Sequence, residues 1–73
     1  MNPLIWDKIS PDCYEGYEDG ELKFLIRVVG KGRSTVAEYG APGPFMKCFT
    51  LADAFRKTEE HRERMESILH RLR

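Results

Sequence analysis

The sequence predicts an α+β fold, with three or four antiparallel strands followed by one long C-terminal helix packed on one face of the sheet. Three observations carry this. Residues 22–29 place Leu22, Phe24, Ile26 and Val28 on one side and Lys23, Leu25, Arg27 and Val29 on the other, the period of a half-buried strand. Turn chemistry flanks that run, with Asp19-Gly20 before it and Gly30-Lys31-Gly32 after it. From Thr50 onward no Gly or Pro interrupts a segment whose apolar residues recur at helical spacing.

The elements follow in order. Residues 1–11 carry Leu4, Ile5, Trp6 and Ile9 between Pro3 and Pro11. This apolar arm is either a short edge strand or an irregular segment, and its Trp6 ring should be mostly buried. Residues 12–49 form the meander. Residues 12–17 read as its first strand, 22–29 as its best strand and 34–39 as its third. The Gly40-Ala-Pro-Gly-Pro44 loop cannot be regular structure, and Phe45 to Phe49 is either a short fourth strand or an extended lead-in. Residues 50–72 form the helix. Thr50 is its N-cap, with Asp53 three residues on in a variant of the capping box. Arg71 and Arg73 suit the negative end of the helix dipole.

Seventy-three residues make one small domain, spanning 1–73. That length excludes most enzymes and any stable repeat array. A core of this size supplies only ~3–5 kcal/mol net. Two cysteines, Cys13 and Cys48, are read as reduced thiols rather than a disulfide framework. No apolar run reaches the ~20 residues that span a bilayer, and the start Met-Asn-Pro-Leu-Ile-Trp-Asp shows no signal peptide.

Net charge is zero, but it is unevenly spread. Residues 1–26 hold two lysines against six carboxylates, and residues 27–49 hold four cations against one carboxylate. A dedicated nucleic-acid binder is usually basic overall, so direct nucleic-acid binding is not expected. An acidic face beside a basic one is expected instead.

Two candidate partner surfaces follow. The first is acidic: Asp12, Tyr14, Glu15, Tyr17, Glu18, Asp19 and Glu21 lie in ten consecutive positions without a Lys or Arg. Such a surface can occupy a basic groove on a partner and imitate nucleic acid electrostatically. The second is a basic tip of Arg27, Lys31, Arg33 and Lys47, which would serve a small nucleic-acid-binding regulator.

The helix is long for its sheet. Leu51, Phe55, Thr58, Arg62, Met65, Leu69 and Leu72 form a heptad seam with a polar middle. A six-residue strand is ~20 Å long, and a helix of residues 51–72 is ~33 Å long. Met65, Ile68, Leu69 and Leu72 should therefore overhang. Either the Trp6 arm covers them, or a second copy or a target does. The rarity of such stripes on small monomers favours a partner, and a homodimer through these four residues is expected.

No catalytic, metal or cofactor site is expected. There is no Cys-x-x-Cys pair, and His61 and His70 point to opposite sides of a helix. Gly30-Lys-Gly-Arg-Ser-Thr35 lacks the phosphate-loop spacing.

A short meander followed by Phe49-Thr50-Leu51-x-x-Ala54 and a helical His61 resembles small orphan proteins of phages and prophages, some of them anti-CRISPR inhibitors. The likeness covers about residues 14–61; the Ala41–Pro44 loop and the long charged helix depart from it. It implies a compact, non-enzymatic protein that blocks a host protein or ribonucleoprotein complex by binding it, in the cytoplasm of a bacterial host. It assigns no residue a role. The rival readings are the nucleic-acid-binding regulator and a phage structural or assembly subunit.

Overall fold

A computed structural model describes residues 3–72 of the chain. Its order is β1 (Ile5–Ser10), β2 (Cys13–Glu18), β3 (Glu21–Gly30), β4 (Arg33–Glu38), β5 (Met46–Cys48) and α1 (Leu51–Arg71). The strands form one antiparallel meander in sequence order.

The fold class is the expected one, but the sheet has five strands rather than three or four. The N-terminal arm supplies the first. Ser10 pairs with Cys13, so Pro11-Asp12 is a two-residue turn, with Pro at the position where its fixed φ is pre-set. The short β5 exists because Val36 and Thr35 offer it a ladder, opposite Met46 and Lys47. The two inner turns are those read from the sequence. Asp19 and Gly20 both have positive φ (51° and 81°), as do Lys31 and Gly32 (50° and 80°). That is the backbone of tight turns whose twist matches the strands.

One sheet face builds the core. Phe24, Ile26, Val36 and Cys48 are buried beneath Ala54 of the helix, with Leu4 at the edge. The helix lies over β4 and β5. Thr50 caps it, its hydroxyl accepting the Asp53 N–H at 3.0 Å. The polar middle of the seam is accommodated locally. Thr58 is fully buried, and its hydroxyl donates to the Ala54 carbonyl at 2.6 Å. Ser34, also buried, donates to the Thr50 carbonyl. Arg62 lies between Glu59 (2.8 Å) and Glu18 (3.7 Å). Each hydroxyl thus keeps a partner, which avoids the cost of burying it unsatisfied.

Trp6 does not cover the helix end. Its ring lies flat on Gly16, its cross-strand neighbour, and meets Phe55 edge-on at 5.0 Å. Tyr14 packs on the other side of Phe55, at 5.3 Å. This aromatic group fastens β1 and β2 to the first half of the helix. A Cβ built on Gly16 would stand 2.7 Å from the Trp6 ring. Gly16→Ala is therefore expected to cost ~1–3 kcal/mol through overpacking, read as a lower denaturation midpoint. An unchanged midpoint would show that the ring shifts freely.

Candidate partner-binding surfaces

The second face of the sheet has no covering element among the described residues. Alternation from the buried positions puts Asp7, Glu15, Leu25 and Ala37 on it in one cross-strand row, and Cys13, Arg27, Thr35 and Lys47 in the next. The face is electrically divided. Its β1–β2 end is acidic and its β3–β5 end is basic.

At the acidic end, Asp7 and Glu15 stand directly opposite each other. Tyr17 donates to Glu15 Oε1 at 2.9 Å. Its hydroxyl is raised above the usual tyrosine range, first by that hydrogen bond, then by desolvation and by the negative charges of Glu15 and Asp7. Like charges opposite each other destabilise a sheet. The fold therefore holds a concentration of negative potential that works against its own stability.

The seven residues of the predicted acidic surface do not share one face. Glu15 and Tyr17 lie on the open side. Tyr14 is turned under the helix, with Lys8 Nζ 5.8 Å from its ring centroid. Glu18 also faces the helix, toward Arg62. Glu21 pairs with Lys23 at 3.1 Å. Asp12 and Asp19 occupy the turns on either side of β2. Asp7 was missed because its partner is visible only once β1 is registered against β2.

The basic residues are better gathered. Arg27 and Lys47 flank Thr35 in one row. Lys31 and Arg33 sit at the β3–β4 turn beside them. None of these four cations has an ion-pair partner among the described residues.

The helix overhang is the third surface. Every residue from Glu63 to Leu72 is exposed. Met65, Ile68, Leu69 and Leu72 are 43%, 42%, 57% and 78% accessible, although large apolar side chains are usually buried. Between this overhang and the sheet end runs a groove of about 810 Å³. Met65 and Leu69 wall it, and Leu22, Phe24 and Tyr39 line its other side. At its inner end the His61 ring packs 4.5 Å from Phe45, with Nε2 3.2 Å from Glu38.

Cys13 and Cys48 are free. They lie on β2 and β5, three strand spacings or ~14 Å apart, and beyond disulfide reach. No group of three or more His, Cys, Asp or Glu among the described residues could hold a metal ion. No described helix is long and apolar enough to cross a membrane. No family model, curated protein or solved structure matches the chain.

Proposed function

We propose that the chain is a non-enzymatic inhibitor of the anti-CRISPR kind. It binds a host protein or ribonucleoprotein complex in the bacterial cytoplasm and lays the acidic end of its open face into a basic groove. Two copies pair through the helix overhang, which leaves both open faces outward.

The observation that carries this reading is the Asp7–Glu15 pair beside Tyr17. A like-charged pair that weakens the sheet is accounted for if a cationic partner neutralises it. Tyr17 adds the aromatic area common at protein interfaces. Glu18, which fits the same reading by sequence, is already occupied by Arg62 and belongs to the fold.

The test is a parallel pull-down from bacterial lysate with the wild type and with Asp7→Lys/Glu15→Lys, read by mass spectrometry. The expected result is a basic protein or ribonucleoprotein retained by the wild type, released by salt, and lost with the variant. The same retained set on both baits would overturn the assignment of this face.

A further inference from the structure

We infer that the basic end of the open face binds single-stranded nucleic acid, with one unpaired base stacked on Phe49 and the flanking phosphates held by Arg33 and Lys47. This goes beyond the protein-binding reading and stands on separate observations.

The first is Phe49 itself. It lies between the end of β5 at Cys48 and the cap Thr50, and is 75% accessible. Among the described residues its ring joins no aromatic pair and no part of the core. Holding an aromatic ring in water forfeits the gain that its burial would bring. An aromatic platform beside cations is the usual means of holding unpaired bases, each of which presents a π-face whatever its sequence.

The second is the pocket at its side, of about 370 Å³. Val29, itself 57% accessible, gives it an apolar wall, and Thr35 gives it a hydroxyl. Arg33 and Lys47 also line it. Ser34 lines it too, with its hydroxyl already committed to the Thr50 carbonyl. Apolar surface, small polar groups and two cations in one recess fit a nucleotide unit, whose base is flat and whose phosphates are anionic.

The third is charge. Arg27, Lys31, Arg33 and Lys47 have no carboxylate partner among the described residues, whereas Lys23, Arg56 and Arg62 do. Arg27 and Lys47 are two strand spacings apart in one row, or ~10 Å. A flexible backbone can therefore meet several cations in succession. Zero net charge does not cancel this. Glu15 on β2 and Lys47 on β5 are separated by ~14 Å, beyond the Debye length of ~8–10 Å at ordinary salt. Arg27 is the exception, a diagonal cross-strand neighbour of Glu15 at ~7–8 Å and so partly offset by it, whereas Lys47 at the far edge keeps its own field.

A duplex fits these observations poorly, because its bases are stacked inside and offer Phe49 no ring. An acidic peptide would satisfy the cations but leave Phe49 idle.

The experiment is fluorescence anisotropy with a fluorescein-labelled oligothymidylate of ~15 nucleotides. A mixed-sequence duplex of equal length and an unlabelled polyglutamate competitor complete it. The expected result is salt-sensitive binding of the single strand, ~10-fold or more tighter than the duplex. Phe49→Ala should weaken it by roughly 5- to 150-fold, the range for losing one base–aromatic stack, while Phe49→Tyr retains it. Arg33→Glu/Lys47→Glu should abolish it. Phe49 is exposed, so its variants keep the circular dichroism of the wild type and the stacking test stands whatever happens to the charge variant. No binding of the single strand at ~50 mM salt would overturn the inference. Binding that ignores Phe49→Ala, or that polyglutamate displaces as readily as unlabelled oligothymidylate, would also overturn it.

Discussion

If two copies pair as proposed, replacing Ile68 and Leu69 together with glutamate is expected to shift the protein from dimer to monomer with its fold intact. Both residues sit on the part of the helix that no other described element covers. They therefore contribute little to the monomer's own core, which lies at Phe24, Ile26, Val36 and Ala54. In a dimer they would be buried with Met65 and Leu72. Full burial of one such side chain is worth ~1.5–3 kcal/mol, and about half of each is still exposed in the monomer. Pairing therefore gains roughly 6–13 kcal/mol before the cost of association, which makes a weak dimer, no tighter than about micromolar. Four buried carboxylates in place of four apolar groups reverse that balance. Light scattering during gel filtration gives the mass, and circular dichroism shows whether the α+β signature persists. A wild type that is monomeric at ~100 μM, far above a micromolar constant, would rule out self-pairing and assign the stripe to the target.

Asp7→Lys is expected to raise stability while it slows target association. Lysine opposite Glu15 turns a repulsive cross-strand pair into an attractive one, worth ~0.2–1 kcal/mol each way. The same change removes negative potential from the face assigned to the partner. Steering by such a field changes association rates by ~10–1000-fold at low salt, and the dissociation rate should move far less. Lys31→Glu/Arg33→Glu, at the other end of the face, should leave the rate close to wild type. Chemical denaturation and surface plasmon resonance on the target give both readings. A stabilised variant that associates at the wild-type rate would make the carboxylate pair a mere defect of the sheet and would sink the proposed face.

What could be read from the chain divides along physical lines. β3 was legible because Leu22, Phe24, Ile26 and Val28 form one wholly apolar face with Lys23 and Arg27 opposite, and Phe24 and Ile26 at its centre are buried. The helix start was legible because capping is local: Thr50 needs only the N–H of Asp53, three residues away. The composition of β1 does not follow the pleat, because Ile5 and Ile9 are apolar yet exposed, at 67% and 51%, so sequence alone does not distinguish an edge strand from an irregular arm there. β5 has three residues and owes its form to the strand beside it. The same limit applies to the surfaces. Tyr14 and Glu18 read as acidic-face residues because they adjoin Glu15 and Tyr17 in sequence, but a strand sends neighbours to opposite sides. Asp7 and Phe49 carried no signal of their own. The first matters through a register across two strands, and the second through an exposure that only the folded junction creates. The overhang was legible from lengths alone.

That overhang has a consequence for motion. Beyond Arg62 the helix runs for nine residues, Glu63–Arg71, to its C-cap Leu72, and all of them are exposed. Most helical stability in proteins comes from tertiary packing, and these turns have little of it, so they are expected to fray from the C-terminal end before the first half, which the cap and the aromatic group hold. Their amides are expected to exchange with solvent at the low-protection end of the molecule's range, and those of β3 at the high end. A partner that covers the stripe must first gather a fraying segment into register. It therefore loses part of its contact energy to ordering, and it leaves a direct trace of where it sits: slowed exchange confined to the last three turns of the helix.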